Sequence, residues 1–143
     1  MRRRPAWQLS SYSYVARDWH EIHSFYRELA AASPGFQGLA DIVTTVMEGD
    51  RAGALSATTS MHDLIVVETP VPEPPFGVIA VRAPGSLRPP LDGHVLIEHL
   101  SVTGYAEAVE RPLSGAVPLF WRFVIEKFGV QPPDRKIAIS QAK

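Results

Sequence analysis

The chain contains no cysteine, no strong excess of either charge and no long apolar run. The absence of cysteine excludes a disulfide scaffold, a thiol nucleophile and a thiolate metal site. Fourteen Lys and Arg against fifteen Asp and Glu give a formal charge of −1, so no overall field attracts a polyanion or a membrane surface. The longest apolar stretch, residues 117–125, is far shorter than the ~20 residues of a spanning helix. We therefore expect neither nucleic-acid binding nor membrane insertion.

Phosphate-binding motifs and a secretion signal are missing as well. The loops contain neither GxxxxGK[ST] nor GxGxxG, which argues against a nucleotide-phosphate cradle. Arg2, Arg3 and Arg4 resemble the charged start of a signal, but residues 6–14 are too polar for its apolar core. The sequence thus predicts a cytosolic protein in which residues 1–14 form a flexible basic tail.

The length and composition of the chain are those of one globular domain. It has 143 residues, of which 45% are hydrophobic and 20% charged, so it has enough apolar surface for one core and too little charge bias for disorder. We predict a single domain over residues 1–143. Its fold class is expected to be α+β, on the periodicities described next.

Helical periodicity predicts two helices near the N-terminus. Asp18 and Glu21 have the spacing of a capping box, and they introduce an apolar stripe at helical spacing formed by Trp19, Ile22, Tyr26 and Leu29. Ser33 and Pro34 suit the start of a second helix, which Gly49 ends. Because the link is short, the two helices are expected to form an αα-hairpin.

The pattern then changes to that of strands. Four runs with strand-like patterns cover residues 54–59, 64–69, 76–82 and 93–103. A turn near residues 60–63 separates the first two, and segments rich in proline or glycine separate the others. Since proline is confined to turns and sheet edges, the runs predict a four-stranded antiparallel meander. Residues 105–115 fit a strand or a loop. An aromatic-rich helix from Pro118 to Gly129 is expected to pack on the sheet, and residues 136–140 fit a short edge strand.

Ionisable residues interrupt these strands. Strand alternation places His94 and Glu98 on one face and His99 on the other. A carboxylate among leucines is costly to bury unless it is paired, protonated or in a wet cleft. Glu68 and Arg82 are candidate partners, although the long proline-rich loop leaves the strand register open. We predict a ligand-binding cluster of Glu68, Arg82, His94 and Glu98, and a structural ion-pair network is the competing interpretation.

His62 is the second candidate for chemistry. It precedes Asp63 in a predicted turn, and an imidazole beside a carboxylate can act as a general base near neutral pH. Asp63 is equally explained by a bond to its own backbone in the turn. On the functional interpretation, His62 and Glu98 are the predicted acid–base residues.

His20 and His23 are the third candidate. Residues at i and i+3 of a helix project in the same direction, so the two imidazoles can share a divalent metal. Two ligands do not make a site, and His62, Asp63 or His99 would have to supply a third. Otherwise His20 is solvated and His23 borders the packed stripe. No other cofactor is predicted.

These patterns favour a small binding or protein-interaction domain without catalysis. The mixed polar and apolar sheet face would contact a protein partner, a second copy of the chain or a small molecule. The alternative is a small-molecule enzyme that uses His and Glu in acid–base chemistry, with or without a metal.

Overall fold

The computed structural model describes residues 14–49, 52–73, 75–102 and 106–130. In these segments the α+β class is confirmed. None of their helices is long and apolar enough to cross a membrane. The predicted tail, apart from Tyr14, and the predicted strand at 136–140 lie outside the described residues. The elements are α1 (Trp19–Ala32), α2 (Gln37–Glu48), β1 (Leu55–Ser60), β2 (Asp63–Glu68), β3 (Val78–Arg82), β4 (His94–Leu100), β5 (Ala106–Pro112) and α3 (Ala116–Phe128).

Within the described residues the sheet has five antiparallel strands in chain order, so the prediction of four is wrong. β5 pairs with β4 along its whole length, from His94 opposite Pro112 to Leu100 opposite Ala106. Its sequence, AEAVERP, has no apolar run because β5 is an edge strand of the described sheet. Charged residues at such an edge discourage pairing with other chains. They also interrupt the apolar pattern from which a strand is predicted.

The two N-terminal helices pack against each other and are joined by a short 3-10 turn, Pro34–Phe36. α1 begins at Trp19 as predicted, and its buried residues belong to the apolar stripe. The Asp18 side chain makes no capping hydrogen bond. Burial of the stripe, rather than a capping box, therefore accounts for the start of this helix.

One face of the sheet packs under the three helices and forms the main core. Its largest buried side chains include Trp121, Tyr26, Phe120 and Phe123. Buried indole N–H groups need acceptors: Trp19 donates to the Leu55 carbonyl at 3.1 Å, and Trp121 donates to Thr45 Oγ1 at 2.9 Å. Strand residues of this face include Leu64, Val66, Ile79, Val81, Val95 and Ile97.

The opposite face, here called the outer face, carries a smaller apolar cluster. The cluster consists of Ile65, Val67, Val78, Ala80 and Leu100, with Tyr14 and Phe76 packed against it. As predicted, the alternation of β4 puts His94, Leu96 and Glu98 on this face and His99 on the other. The apolar cluster is buried within the chain itself. An external partner is thus not required to cover it.

Candidate functional site

Several connections meet at one end of the sheet, here called the loop end. They are the β1–β2 turn, the β3–β4 connection of residues 83–93 and the 3-10 turn that follows β5. We call residues 83–93 the proline loop. The turn between the N-terminal helices also reaches this end, because a Cβ on Gly35 would lie 2.9 Å from Pro84 Cγ. The candidate residues of the sequence analysis must be placed relative to this end.

Three neighbouring strands bring Asp63, Arg82 and Glu98 side by side on the outer face. Leu64 pairs with Val81, and Ala80 pairs with Glu98. In this register Arg82 lies opposite Asp63 and diagonal to Glu98, the separation at which long side chains meet across strands. Arg82 Nη1 donates to Asp63 Oδ2 at 2.9 Å, and its Nε donates to Glu98 Oε1 at 2.7 Å.

Asp63 ties the proline loop to the sheet. Its Oδ1 accepts the backbone N–H of Ala83 at 2.7 Å, and its Oδ2 accepts the hydroxyl of Ser86 at 2.8 Å. The carboxylate is buried, and three donors satisfy it. Asp63 therefore acts across strands and does not serve only its own turn.

Glu98 lies deepest in this group, with a fully buried side chain. Besides Arg82, Arg88 approaches it: Arg88 Nη1 lies 2.9 Å from Oε2. This contact is an ion pair, and Oε2 accepts no hydrogen bond from the described residues. We call Asp63, Arg82, Ser86, Arg88 and Glu98 the buried cluster.

The buried cluster has balanced charge, with two carboxylates and two guanidinium groups. Burial lowers the pKa of Arg82, but hydrogen bonds to Asp63 and Glu98 outweigh it, and the pKa is raised above its ordinary value. The cation therefore persists at any ordinary pH. Both oxygens of Glu98 face guanidinium groups, so a substrate must displace one of them to reach the carboxylate.

A cleft of about 470 Å³ adjoins the proline loop. Its walls are rich in proline and glycine, and its ionisable residues are Asp92 and His94. His94 Nδ1 lies 3.1 Å from the Asp92 carbonyl oxygen. Because a carbonyl only accepts, Nδ1 carries the proton in this contact, and Nε2 of the neutral ring is left as an acceptor. The lining residues are Ser33, Pro34, Gly35, Pro84, Gly85, Pro89, Pro90, Leu91, Asp92, Gly93, His94 and Leu113.

Hydrogen bonds fix the cleft wall in place. Leu91 N donates to Glu110 Oε2 at 2.6 Å, and Leu113 N donates to the Gly93 carbonyl at 3.0 Å. Gly93 has φ of +76°, a left-handed conformation that glycine adopts without steric cost. The wall is thus preorganised, which lowers the entropy lost when a ligand binds.

The structure brings together only two of the four residues of the predicted ligand cluster. Arg82 and Glu98 are in direct contact. His94 shares their face but lines the cleft. Glu68 pairs with Leu55 and so lies on the helix-covered face. Sequence reasoning missed Ser86 and Arg88, because a loop has no periodicity that reports where its side chains point.

His62 lies in a different setting from Glu98, and no hydrogen bond or ion pair joins them in the described segments. Met61 and His62 have φ of 51° and 75°, so they form a tight hairpin turn without the usual glycine. The His62 ring lies 5.7 Å from that of Phe25 and 5.9 Å from that of Phe36. Tyr26 donates its hydroxyl to the His62 carbonyl at 2.8 Å. His62 is thus an exposed residue whose ring lies beside two aromatic side chains.

The predicted metal pair lacks a third ligand, since the described segments hold no group of three His, Cys, Asp or Glu arranged for a metal. His20 is exposed. His23 Nε2 lies 2.9 Å from Thr44 Oγ1, whose own proton goes to the Ala40 carbonyl. Nε2 therefore donates its proton to Thr44 and is unavailable as a metal ligand in this arrangement.

A second group of charges, here called the edge cluster, lies where α3 crosses β5. Lys127 Nζ donates to Glu107 Oε1 at 2.6 Å, and Arg122 Nη2 approaches Oε2 at 3.4 Å. The Lys127 hydrogen bond lowers the pKa of Glu107. His99 pairs with Glu107 across the strands, and burial, with the Lys127 charge, lowers the pKa of its imidazole. The edge cluster is Glu107, Arg122, Lys127 and His99.

Comparison with known proteins gives no match: no family model, curated protein or solved structure is significantly similar to this chain.

Proposed function

We propose that this protein is a binding domain without catalytic activity, and that a small organic molecule binds in the cleft at the loop end. The observation that supports this most directly is the cleft itself. Its volume of about 470 Å³ lies within the range of small-molecule sites, roughly 300 to 1,000 Å³. Its wall is held by hydrogen bonds before any ligand arrives.

The lining indicates the chemistry of the ligand. Proline and leucine side chains supply most of the apolar wall, and Asp92 and His94 supply the ionisable groups. Such a site favours a ligand with an apolar body and a donor directed at His94 Nε2. The carboxylate of Asp92 disfavours an anionic ligand. A neutral or cationic molecule is the proposed class.

Contacts of the other candidate residues support binding over catalysis. Glu98 faces two arginines, and His62 packs between two phenylalanines. A general base needs a free position within hydrogen-bond reach of a substrate proton. Glu98 has none, because it is buried against two arginines, and His62 is exposed but does not line the cleft. His94, which does line the cleft, contacts a backbone carbonyl and not a carboxylate.

The test is a fragment screen followed by two-dimensional proton–nitrogen NMR on the full chain. We expect saturable shifts at the amides of Gly35, Gly85 and Gly93. His94→Ala should weaken the best fragment about three- to tenfold, the weight of one hydrogen bond. His20→Ala is the matched control, because His20 is exposed on α1, and it should leave affinity unchanged.

Two results would contradict the cleft proposal. One is fragment binding that maps elsewhere or is equally weakened by both histidine variants. The other is concentration-dependent line broadening at the exposed apolar residues Met61 and Leu87 without fragment binding, which would indicate a protein interface or self-association instead.

A further inference from the structure

We propose a second binding site at the loop end: the carboxylate of Glu98 binds the guanidinium group of a ligand, and Arg88 of the chain itself fills that site in this structure. Ligand binding would displace Arg88 and move the proline loop. This site is distinct from the cleft proposed as a small-molecule site, and separate measurements test it.

The first observation is the unsatisfied oxygen of a buried carboxylate. Glu98 is fully buried, yet Oε2 accepts no hydrogen bond from the described residues. Buried carboxylate oxygens normally accept several, since an unmade bond to a charged group is costly. Arg88 Nη1 lies 2.9 Å from Oε2 as an ion-pair partner, so Oε2 has charge compensation but can still accept a directed hydrogen bond from a ligand donor.

The second observation is the contrast between the two arginines. The Arg82 side chain is 16% exposed, and directed bonds to Asp63 and Glu98 hold it. The Arg88 side chain is 58% exposed and comes from a loop. Only the Arg88 end of this ion pair is open to water, so salt and solutes reach the cation there and screen it. Arg88 is thus the replaceable cation, and Arg82 is the fixed one.

The third observation is that moving Arg88 exposes little new apolar surface. Leu87 is already 83% exposed and Leu91 65%. Ser86 and Leu91 are anchored, through Asp63 and Glu110 respectively, so the movement is confined to the residues between them. Pro89 and Pro90 in that interval line the cleft. Displacing Arg88 would therefore change the cleft wall, which couples the two sites.

Guanidinium is the expected ligand group for a geometric reason. Arg82 already occupies Oε1, and the position at Oε2 is filled here by a guanidinium group. A planar group with several N–H donors can direct one of them at Oε2 once the constraint of the loop is removed. An ethylammonium ion has the charge without the planar set of donors.

The experiment titrates the full chain with ethylguanidinium chloride at constant ionic strength and follows the Arg88 Nε–H and Leu87 amide signals by NMR. We expect saturable shifts with ethylguanidinium, weaker ones with ethylammonium and none with tetramethylammonium, which cannot donate. Arg88→Ala should bind ethylguanidinium about fivefold more tightly, because the internal competitor is gone. Arg88→Lys keeps a competing cation and should stay near the native affinity.

Arg111→Ala is the control, since Arg111 is an exposed arginine on β5, and it should bind as the native chain does. In the Arg88→Ala background, Glu98→Gln should abolish the saturable shift. The proposal is overturned if neither the native chain nor Arg88→Ala shows saturable ethylguanidinium binding. It is also overturned if Arg88→Ala and Arg88→Lys bind equally, a comparison that does not depend on whether the chain carrying Glu98→Gln folds.

Discussion

The buried cluster and the edge cluster contain the same kinds of charged group but differ in their contact with water. In the buried cluster, Glu98 has no exposed side-chain surface and Arg82 has little. In the edge cluster, Glu107 and Arg122 are 29% and 41% exposed. The distance between Lys127 and Glu107, 2.6 Å, is slightly shorter than the shortest in the buried cluster, 2.7 Å between Arg82 and Glu98. Distance alone therefore does not rank the two clusters.

Burial decides their effect on stability. Removing one partner of a buried pair leaves an uncompensated charge in a low-dielectric setting, whereas water and salt replace a lost partner at the surface. The two clusters also join different elements. The buried cluster holds the proline loop against three strands, and the edge cluster joins α3 to β5.

Arg82→Ala should be the most damaging change. It leaves Asp63 and Glu98 buried with reduced compensation, so we expect a loss of about 3 to 5 kcal/mol in the free energy of unfolding. Urea denaturation measures it, with Arg111→Ala as the exposed-arginine control. A loss no larger than that of the control would remove the distinction between the clusters.

Ser86→Ala should have an intermediate effect. The hydroxyl donates to Asp63 Oδ2 at 2.8 Å, and a hydrogen bond to a charged group contributes about 1.5 to 3 kcal/mol. Denaturation would report the loss, and amide exchange at Arg88 should quicken as the proline loop loosens. Ser24→Ala, at an exposed position of α1, is the control. Unchanged exchange at Arg88 would show that Ser86 does not hold the loop.

His99 should make the edge cluster sensitive to mild acid. Burial, then the Lys127 charge, lowers the pKa of His99 below 6.5 in the folded state. The folded state thus binds the proton less well than the unfolded one, so this contribution to stability is full above pH 6.5 and is lost as pH falls toward the folded pKa. Thermal unfolding from pH 7.5 to 5 should show a decline that His99→Gln reduces and His20→Gln leaves unchanged. An NMR titration of His99 that gave a raised pKa would contradict this expectation.

Lys127→Met should have the smallest effect. It removes the hydrogen bond that lowers the pKa of Glu107 below 4.5. In the native chain that stabilisation is present above pH 4.5 and is lost as pH falls through the lowered pKa. The difference in melting temperature at neutral pH should be small at about 0.1 M salt and vanish near 1 M, where screening is stronger. A large, salt-independent loss would mean that the edge cluster behaves as a buried one.

The two clusters also show where sequence-based prediction succeeds. Alternation along β4 correctly separates Glu98 from His99, because successive strand residues always face opposite sides. The same pattern indicates that a carboxylate among leucines needs a partner, and Arg82 and Glu68 are the two candidates. Arg82 contacts Glu98, whereas Glu68 lies on the other face. Only the register decides between them, and a long loop leaves the register free.

Local sequence patterns specify the periodic features of this protein: the positions of the helices, the alternation of the strands and the α+β class. These features follow from backbone geometry and the burial of apolar stripes, which act over a few residues. The tertiary structure alone decides the fifth strand, the meeting of Asp63, Arg82 and Glu98, and the placement of Arg88 over a buried carboxylate. Those contacts join residues distant in the chain, and neither an edge strand without an apolar run nor an aperiodic loop carries a local signal of its partners.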